Sequence, residues 1–361
     1  MLKNLTAGYN DVVTKNAKCA GGETVFYVLL PMSSRLSFSG IADVVEIRAD
    51  ICADKSADFI DFFEYRRIIK RVSPDIVHTH GAVVARIAAA TLGIPTVMTR
   101  HCAYPVKLIK FFPFRQINSL LYMRFTDFCI ATAEAAKKNL TDMGIPDEKI
   151  RVIINGSPEQ KRISETEKRE IIEQLGCDGC FIVGVVGRLE KEKGHRTILD
   201  AARILSGEKI RFLFFGDGKC EDELKEYAEG LDNVLFCGFK PDIYRYMNIF
   251  DIEVNASTGT ETSCLALSEA MSLKIPCIAS DYGGNPHMIG KNGLIFPHGD
   301  ATSLAECVLR LYRDRGLYES LSESSYKRYK KDFTVQRMQQ EYGDIYAYVL
   351  DNAKKEKRRM T

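Results

Sequence analysis

Residues 180–194 read CFIVGVVGRLEKEKG, and this stretch decides the fold. The run FIVGVV is apolar or glycine at every position, without the alternation of a half-exposed strand, so it predicts a strand buried on both faces. A glycine and a charged loop follow, and then a segment with helical periodicity. Strands of this kind alternating with helices are typical of a parallel, doubly wound α/β fold.

The same rhythm runs along most of the chain. Ten further apolar runs predict strands at 24–30, 75–80, 96–101, 128–133, 151–155, 211–216, 233–238, 251–255, 276–280 and 293–296. Segments with helical periodicity lie between them at 57–71, 134–143, 197–205, 221–230, 263–273 and 302–313.

The rhythm breaks once, after Ser157, where a polar and charged stretch follows. We therefore expect an N-terminal Rossmann-like domain over 1–157, a linker over 158–179 and a C-terminal Rossmann-like domain over 180–332. Residues 333–361 are expected to form a closing helix and a mobile, basic tail. The cleft between two such domains is the default binding site.

Composition narrows the class of protein. A chain of 361 residues fits two domains, and 45% hydrophobic residues indicate globular protein. The net charge of +2 argues against a nucleic-acid binder. No apolar run approaches the length of a membrane span. The 11 cysteines are odd in number and scattered, which indicates a reducing, cytoplasmic location.

Two basic side chains follow the strand of the opening stretch. Gly187 lets the backbone approach a ligand closely, and Arg188 and Lys193 stand beside the start of the next helix. We expect both side chains to be exposed. Two fixed cations at this place suit a diphosphate, with Arg as a fork and Lys as a point charge. The alternative is an ordinary solvated loop.

Glu261 and Glu269 lie eight residues apart, before and within a predicted helix. Two turns of helix separate them by roughly 12 Å. That distance exceeds the roughly 5–9.5 Å of a glycosidase carboxylate pair, so they suit two ends of one extended ligand. Carboxylates accept hydrogen bonds from vicinal hydroxyls. The alternative is a helix-terminal acid and a surface acid.

Histidines stand at two predicted strand ends. His101 closes one strand and can donate to a ligand oxygen or carry a proton. His78 and His80 close another, but no metal-binding spacing joins the three, so we expect no zinc site. Gly216 opens a short Gly-Asp-Gly turn that lacks the third glycine of a dinucleotide-binding fingerprint.

Taken together, the motifs resemble the GT-B-fold retaining glycosyltransferases of family 4. In order they are DIVHTHG, TVMTRH, IATAEAAKKNL, VIINGS, VGRLEKEKG, FLFFGDG, VLFCGF, ETSCLALSEAM and PCIASDYGGNPHMI, over about residues 75–300. The resemblance favours the diphosphate interpretation of Arg188 and Lys193 over the solvated loop. The sequence of this chain departs from the family pattern after Glu261, where family members are often rich in glycine.

The resemblance implies a role for each matching residue. Arg188 and Lys193 would hold the donor diphosphate, Glu269 the ribose, and Glu261 and His101 the transferred sugar. Backbone groups at the start of the helix and at the glycine turns would complete the donor site: Gly187, Gly216, Thr262, Ser263, Cys264 and Leu265. No metal and no cofactor are implied.

The function that follows from the resemblance is retaining transfer of a sugar from a nucleotide diphosphate sugar to a hydroxyl acceptor. An envelope polysaccharide, lipopolysaccharide or lipid-linked glycan is the expected acceptor. Two alternatives remain open. One is a GT-B nucleotide-sugar epimerase, and the other is a non-catalytic subunit that binds a nucleotide sugar.

Residues 76–126 contain no acidic side chain. Residues 106–125 interleave basic and aromatic side chains, including Lys107, Lys110, Arg115 and the run 111–114. This pattern predicts a patch that touches anionic lipid at the cytoplasmic face of the membrane. The alternative is an apolar core with solvated charges.

The N-terminal residues depart from the family most. Residues 2–18 look like a helix, and only Met1 precedes them. The family's first strand and glycine loop are therefore expected to be missing, because Met1 is an internal start or because the protein is degenerate and weakly active. In a third interpretation the strand at 25–30 takes the role of the first strand.

Overall fold

The structure is a computed structural model that describes residues 12–16, 25–31, 44–49, 61–101, 113–259 and 261–360. The chain divides into two compact units. The first contains the residues before 155 together with those from 338 onward, and the second contains residues 155–337.

The first unit holds a seven-stranded sheet in the order β3-β2-β1-β4-β5-β6-β7. Its strands are β1 Val12–Asn16, β2 Val25–Pro31, β3 Val44–Ala49, β4 Ile76–Thr79, β5 Thr96–Arg100, β6 Phe128–Ala131 and β7 Ile150–Val152. Its helices before residue 155 are α1 Phe62–Val72, α2 Val83–Thr91, α3 Phe114–Arg124 and α4 Glu134–Asp142.

Strand β1 corrects the expectation for the N-terminal residues. The helix expected over 2–18 is wrong at Val12–Asn16, which form a strand between β2 and β4, antiparallel to both. The pair Val12-Val13 and Thr14 are β-branched, and such residues favour a strand over a helix. The expected gap beside β4 is therefore filled in this sheet, and the other neighbouring strands are parallel.

The second unit holds a six-stranded sheet in the order β10-β9-β8-β11-β12-β13, with every neighbouring pair parallel. Its strands are β8 Phe181–Val186, β9 Ile210–Phe215, β10 Val234–Gly238, β11 Ile252–Asn255, β12 Cys277–Ser280 and β13 Leu294–Phe296. Its helices are α5 Glu165–Gln174, α6 His195–Ile204, α7 Glu221–Tyr227, α8 Ile243–Met247, α9 Leu265–Ser272, α10 Asn285–Ile289, α11 Ala301–Arg313 and α12 Arg315–Asp332.

Both sheets are covered by helices, and the predicted doubly wound α/β class is confirmed. All eleven predicted strands are present, and the fully buried side chains of β8 and β9 form part of the second unit's core. Strands β1 and β3 are the two that the sequence analysis missed among the described residues.

The structure divides the chain differently from the expected boundaries. Residues 158–179 are part of the second unit, because α5 is capped by Ser164 and buries Ile171. The backbone amide of Gln160 also donates to the Ser272 hydroxyl over 3.0 Å, and the Arg245 side chain forms an ion pair with Glu167 over 2.7 Å.

The last helix, α13, runs over Val335–Met360 and includes the basic residues expected to form a mobile tail. From residue 338 onward it belongs to the first unit, where the Tyr348 ring packs edge-on against Phe128. Within the described ranges, no helix combines the length and the apolar character needed to cross a membrane.

Candidate functional site

The strand order of the second sheet places the loops after β8 and β11 side by side. From β8 the sheet grows through β9 and β10 on one side, and from β11 it grows through β12 and β13 on the other. In open α/β sheets, ligands bind at the carboxyl ends of the strands where the order reverses in this way. Arg188 and Lys193 follow β8, and Glu261 follows β11.

An ion pair joins these two loops. Lys193 Nζ lies 2.6 Å from Glu261 Oε2, and the side chains are only 22% and 9% exposed. Burial lowers the pKa of Lys193 while the Glu261 carboxylate raises it, and the net shift is upward. The expectation that Lys193 is exposed is therefore wrong, because a carboxylate 68 residues away covers it.

Of the two basic side chains Arg188 and Lys193, Arg188 is the exposed one, as expected. Its side chain is 67% exposed and approaches Glu192 at 3.8 Å, a long contact for an ion pair. Its backbone is fixed, because the buried His195 ring donates from Nε2 to the Arg188 carbonyl oxygen over 2.9 Å. Burial lowers the pKa of His195, so the ring is neutral at pH 7. The guanidinium can reorient while its Cα stays in place.

Glycine packing holds the loop after β8 against β9. Gly216 has a φ of 142°, and a Cβ at this position would collide with the carbonyl oxygen of Gly187. The Gly187 amide donates to the Phe215 carbonyl over 3.0 Å. The two predicted glycines therefore lie together, directly under the Arg188 loop.

The Glu261 loop is held from two sides. The Ser257 hydroxyl donates to Glu261 Oε2 over 3.1 Å, beside the Lys193 contact. The Gly284 amide donates to the Glu261 carbonyl over 2.9 Å, and a Cβ on Gly284 would collide with the Thr262 carbonyl. The carboxylate is thus fixed before any ligand arrives.

Helix α9 begins at Leu265, with Cys264 in the preceding cap position, so its first-turn amides stand next to the Glu261 loop. Burial raises the pKa of Cys264 to about 12, which keeps its thiol protonated. Thr262 is buried, and the Ser263 hydroxyl finds no hydrogen-bond partner in the described structure. Glu269 lies in the next turn of α9 and is buried.

His101 belongs to the first unit, whereas the other predicted site residues belong to the second. The structure brings His101 together with His78 and His80, since His80 Nδ1 lies 2.7 Å from His101 Nε2. Among the described residues, no group of three or more His, Cys, Asp or Glu side chains is arranged to hold a metal ion.

Two known protein families match the sequence of this chain. The family described as glycosyl transferases group 1 matches residues 180–314, and the family described as glycosyltransferase family 4 matches residues 23–160. The two matched ranges cover both sheets apart from β1. The chain is a group 1 glycosyltransferase.

Relatives of this glycosyltransferase span most of its length. An Escherichia coli UDP-Gal:alpha-D-GlcNAc-diphosphoundecaprenol alpha-1,3-galactosyltransferase is 25% identical over 79% of this chain and 78% of its own. The Staphylococcus aureus capsular polysaccharide biosynthesis glycosyltransferase CapM is 24% identical over 85% of this chain and 84% of its own.

Solved structures share the GT-B fold. A glycosyltransferase from Rickettsia africae superposes with a TM-score of 0.76 at 20% identity, covering 86% of each chain. Anabaena HepE in complex with UDP gives a TM-score of 0.73 at 22% identity, covering 84% of this chain and 86% of that one.

A buried amide network beneath the Glu261 loop of the glycosyltransferase was not predicted from the sequence. Asn285 donates to Asn255 Oδ1 over 2.9 Å and to the Ser280 hydroxyl over 3.0 Å. The Ser257 amide donates to the same Asn255 oxygen over 3.1 Å. This network positions Ser257, which in turn holds Glu261. The GGN turn was quoted in the sequence analysis, but nothing in the sequence paired its Asn with Asn255.

Glu253 was also missed, because it sits inside a predicted strand. Its side chain is fully buried in β11; Oε1 accepts from the Val186 amide over 3.2 Å, and Oε2 has no hydrogen-bond partner among the described residues. Burial, and then the nearby Glu269 charge, raise the pKa of Glu253 well above its usual value. The carboxyl is therefore protonated at neutral pH.

We expect Glu253→Gln to stabilise the protein at pH 7 but not at pH 4. Below the ordinary pKa of 4.5, both the folded and the unfolded wild type carry a protonated Glu253, so the two proteins are alike. As the pH rises, only the unfolded wild type ionises, and wild-type stability falls relative to the variant. Urea unfolding at several pH values measures the difference. Exposed Glu226→Gln serves as the control, and a stability gain that is the same at pH 4 and pH 7 would contradict the buried acid.

We expect Lys193→Ala and Arg188→Ala to differ in stability. Removing Lys193 leaves the buried Glu261 carboxylate without its cation and costs roughly 1–3 kcal/mol or more. Removing the exposed Arg188 side chain changes the unfolding free energy by less than about 0.5 kcal/mol. Chemical denaturation measures both, and equal stability of the two variants would show that the ion pair contributes nothing to folding.

Proposed function

We propose that the chain is a retaining glycosyltransferase that takes its sugar from a nucleoside diphosphate sugar. The observation that carries this proposal is the pairing of Lys193 and Glu261 across the loops after β8 and β11. It supplies a cation for phosphate and a carboxylate for sugar hydroxyls at one point of the sheet edge. UDP bound to Anabaena HepE supports a nucleotide donor.

The diphosphate is held by charge and by backbone donors. The Lys193 ammonium has three N–H donors, and its bond to Glu261 uses one of them, so others remain for a phosphate oxygen. Arg188 adds a mobile fork from the surface, and the first-turn amides of α9 add the positive end of a helix. These groups stabilise the negative charge that develops as the nucleotide leaves.

Two carboxylates accept hydrogen bonds from the hydroxyl groups of the donor. Following the family resemblance, Glu269 accepts from the ribose hydroxyls and Glu261 from the transferred sugar, with His101 as a further sugar contact. The Glu261 carboxylate is pre-positioned by Ser257 and Lys193, so little side-chain entropy is lost when a sugar binds.

Retention requires bond formation on the face from which the phosphate departs. The bond from the anomeric carbon to the phosphate oxygen breaks, and a bond from that carbon to the acceptor oxygen forms. The acceptor proton passes to the departing phosphate oxygen, so no protein base is needed. Arg188 and Lys193 stabilise the phosphate while it serves this purpose.

The acceptor that we propose is a lipid-linked or growing envelope glycan. The names of the Escherichia coli and Staphylococcus aureus relatives refer to a diphosphoundecaprenol-linked sugar and to capsular polysaccharide. An epimerase would convert the donor without acceptor, and a non-catalytic subunit would bind it without turnover. Incubation with a panel of nucleotide sugars, with and without lipid-linked acceptors, distinguishes the three.

The same proposal includes contact with an anionic membrane through α3. Ile117, Leu120 and Leu121 are each more than half exposed, and their spacing places them on one face of the helix. Exposed Arg115 and Arg124 flank them, in a part of the sequence without acidic residues. This charge selects an anionic lipid surface. Lys107, Lys110 and residues 111–112 lie outside the described residues.

We expect Arg188→Ala to lower turnover by roughly 10²–10³-fold, because one cationic donor to the leaving phosphate is lost. Lys193→Ala should lower it to a similar degree, and Glu269→Gln should raise the donor KM. Steady-state transfer assays test this, with Arg196→Ala as a surface control that loses an exposed ion pair with Glu223 and a cation–π contact with Tyr227. Wild-type turnover in Arg188→Ala and Lys193→Ala would remove the diphosphate role.

We expect replacement of Ile117, Leu120 and Leu121 by Ser to release the protein from anionic vesicles. Basic residues near such a surface contribute about 1 kcal/mol each, so binding of the wild type should also weaken with salt. Co-sedimentation with phosphatidylglycerol vesicles measures this, and Phe63→Ser, an exposed apolar residue on α1, is the matched control. Equal pelleting of the triple variant and wild type at low salt would end the membrane proposal.

A further inference from the structure

Three imidazole rings form a row at the carboxyl ends of β4 and β5. His78 and His80 are two residues apart, so they share a face of the chain, and their rings stack with centroids 4.6 Å apart. His101 follows β5, and its ring meets that of His80 edge to edge, with the ring planes 21° apart and the centroids separated by 5.0 Å. His80 therefore lies between the other two rings.

His78 is the fixed end of this row. Its Nδ1 lies 2.7 Å from the Tyr346 hydroxyl of α13, and its Nε2 lies 2.7 Å from the Thr99 hydroxyl. With both ring nitrogens bonded and the side chain only 1% exposed, the ring has no freedom to rotate. It offers His80 a rigid surface.

His80 and His101 share one proton. His80 Nδ1 and His101 Nε2 are 2.7 Å apart, so one nitrogen donates and the other accepts. Burial lowers the pKa of His101 to about 4 and that of His78 to about 3, and it lowers the pKa of His80 well below its usual value. All three rings are thus neutral at pH 7, and each carries a single N–H.

We propose that His80 is a positioning residue, which fixes the ring orientation of His101 and couples the tautomer of that ring to its own through the shared hydrogen bond, and which is itself held by stacking on His78. This inference rests on the proposed function, in which His101 contacts the transferred sugar. Because each neutral ring carries one proton, the proton between the rings decides which nitrogen of His101 is a donor. Tyr346 anchors the far end, which makes α13 part of the support.

The chemical consequence is a directed, uncharged contact to the sugar. A protonated imidazole would place positive charge beside an anomeric carbon that becomes positive in the transition state. A neutral ring of fixed orientation offers one oriented hydrogen bond without that repulsion. Misplacement of such a group by about 1 Å costs roughly 100-fold in rate.

Two substitutions at His80 test the hydrogen bond apart from packing. His80→Leu fills the space but cannot pair with His101, whereas His80→Asn presents a polar atom near the position of Nδ1. We expect His80→Leu to lower kcat roughly 10- to 100-fold, with the KM for the donor nucleotide sugar nearly unchanged, and His80→Asn to recover most of kcat. Tyr348→Phe, on α13 but outside the row of histidines, should match wild type.

A spectroscopic measurement tests the pairing without any substrate. The chain contains only 6 histidines, so protein labelled with ¹⁵N in the imidazole rings gives a simple spectrum. We expect a ¹⁵N–¹⁵N coupling across the hydrogen bond between His80 and His101, which disappears in His80→Leu while the His78 signals persist.

The outcomes separate this proposal from the proposed function. Absence of the coupling in wild type overturns the pairing, whatever the activity. A wild-type kcat in His80→Leu, or equal losses in His80→Leu and His80→Asn, overturns the positioning role although transfer itself is confirmed. If wild type shows the coupling but transfers no sugar, the proposed function fails, and the row of histidines is a purely structural element.

Discussion

The contact between Lys193 and Glu261 is the constraint on which the second unit's site depends. The two side chains come from loops that follow neighbouring strands, and they meet at 2.6 Å with little exposure to water. A buried pair of this kind is stable only when both partners are held in place. The glycine contact beneath Gly187, the amide network around Asn255 and the turn at Gly284 supply that support.

The fold was largely predictable because buried parallel strands have a distinctive local signature. Apolar runs such as FIVGVV at 181–186 predict a strand without knowledge of the strands that will lie beside it. β1 was missed because Val12-Val13 stands in a polar context that also fits a helical pattern, and its partners are distant in sequence. The linker at 158–179 was misassigned because its charges face outward while the single buried residue of α5, Ile171, carries little weight in the pattern.

The site was predictable as a set of residue types but not as a set of contacts. Strand ends and the spacing of Glu261 and Glu269 pointed to loops that the structure brings side by side. The partner of Lys193 is 68 residues away, and only the strand order reveals it. His80 and His101 are 21 residues apart, and their hydrogen bond likewise depends on β4 and β5 being neighbours. Glu253 gave no signal, because a charged residue inside a strand normally faces solvent.

The buried histidines and the buried Glu253 contribute to the pH dependence of stability with opposite signs. The folded-state pKa values of His78 and His101 are lowered, so the first unit loses stability as the pH falls from 6.5 towards about 3 and about 4, when only its unfolded form gains protons. Glu253 has a raised pKa, so its contribution destabilises the second unit as the pH rises above 4.5. Acid therefore removes stability through the buried histidines, His195 of the second unit included, while it adds stability through Glu253.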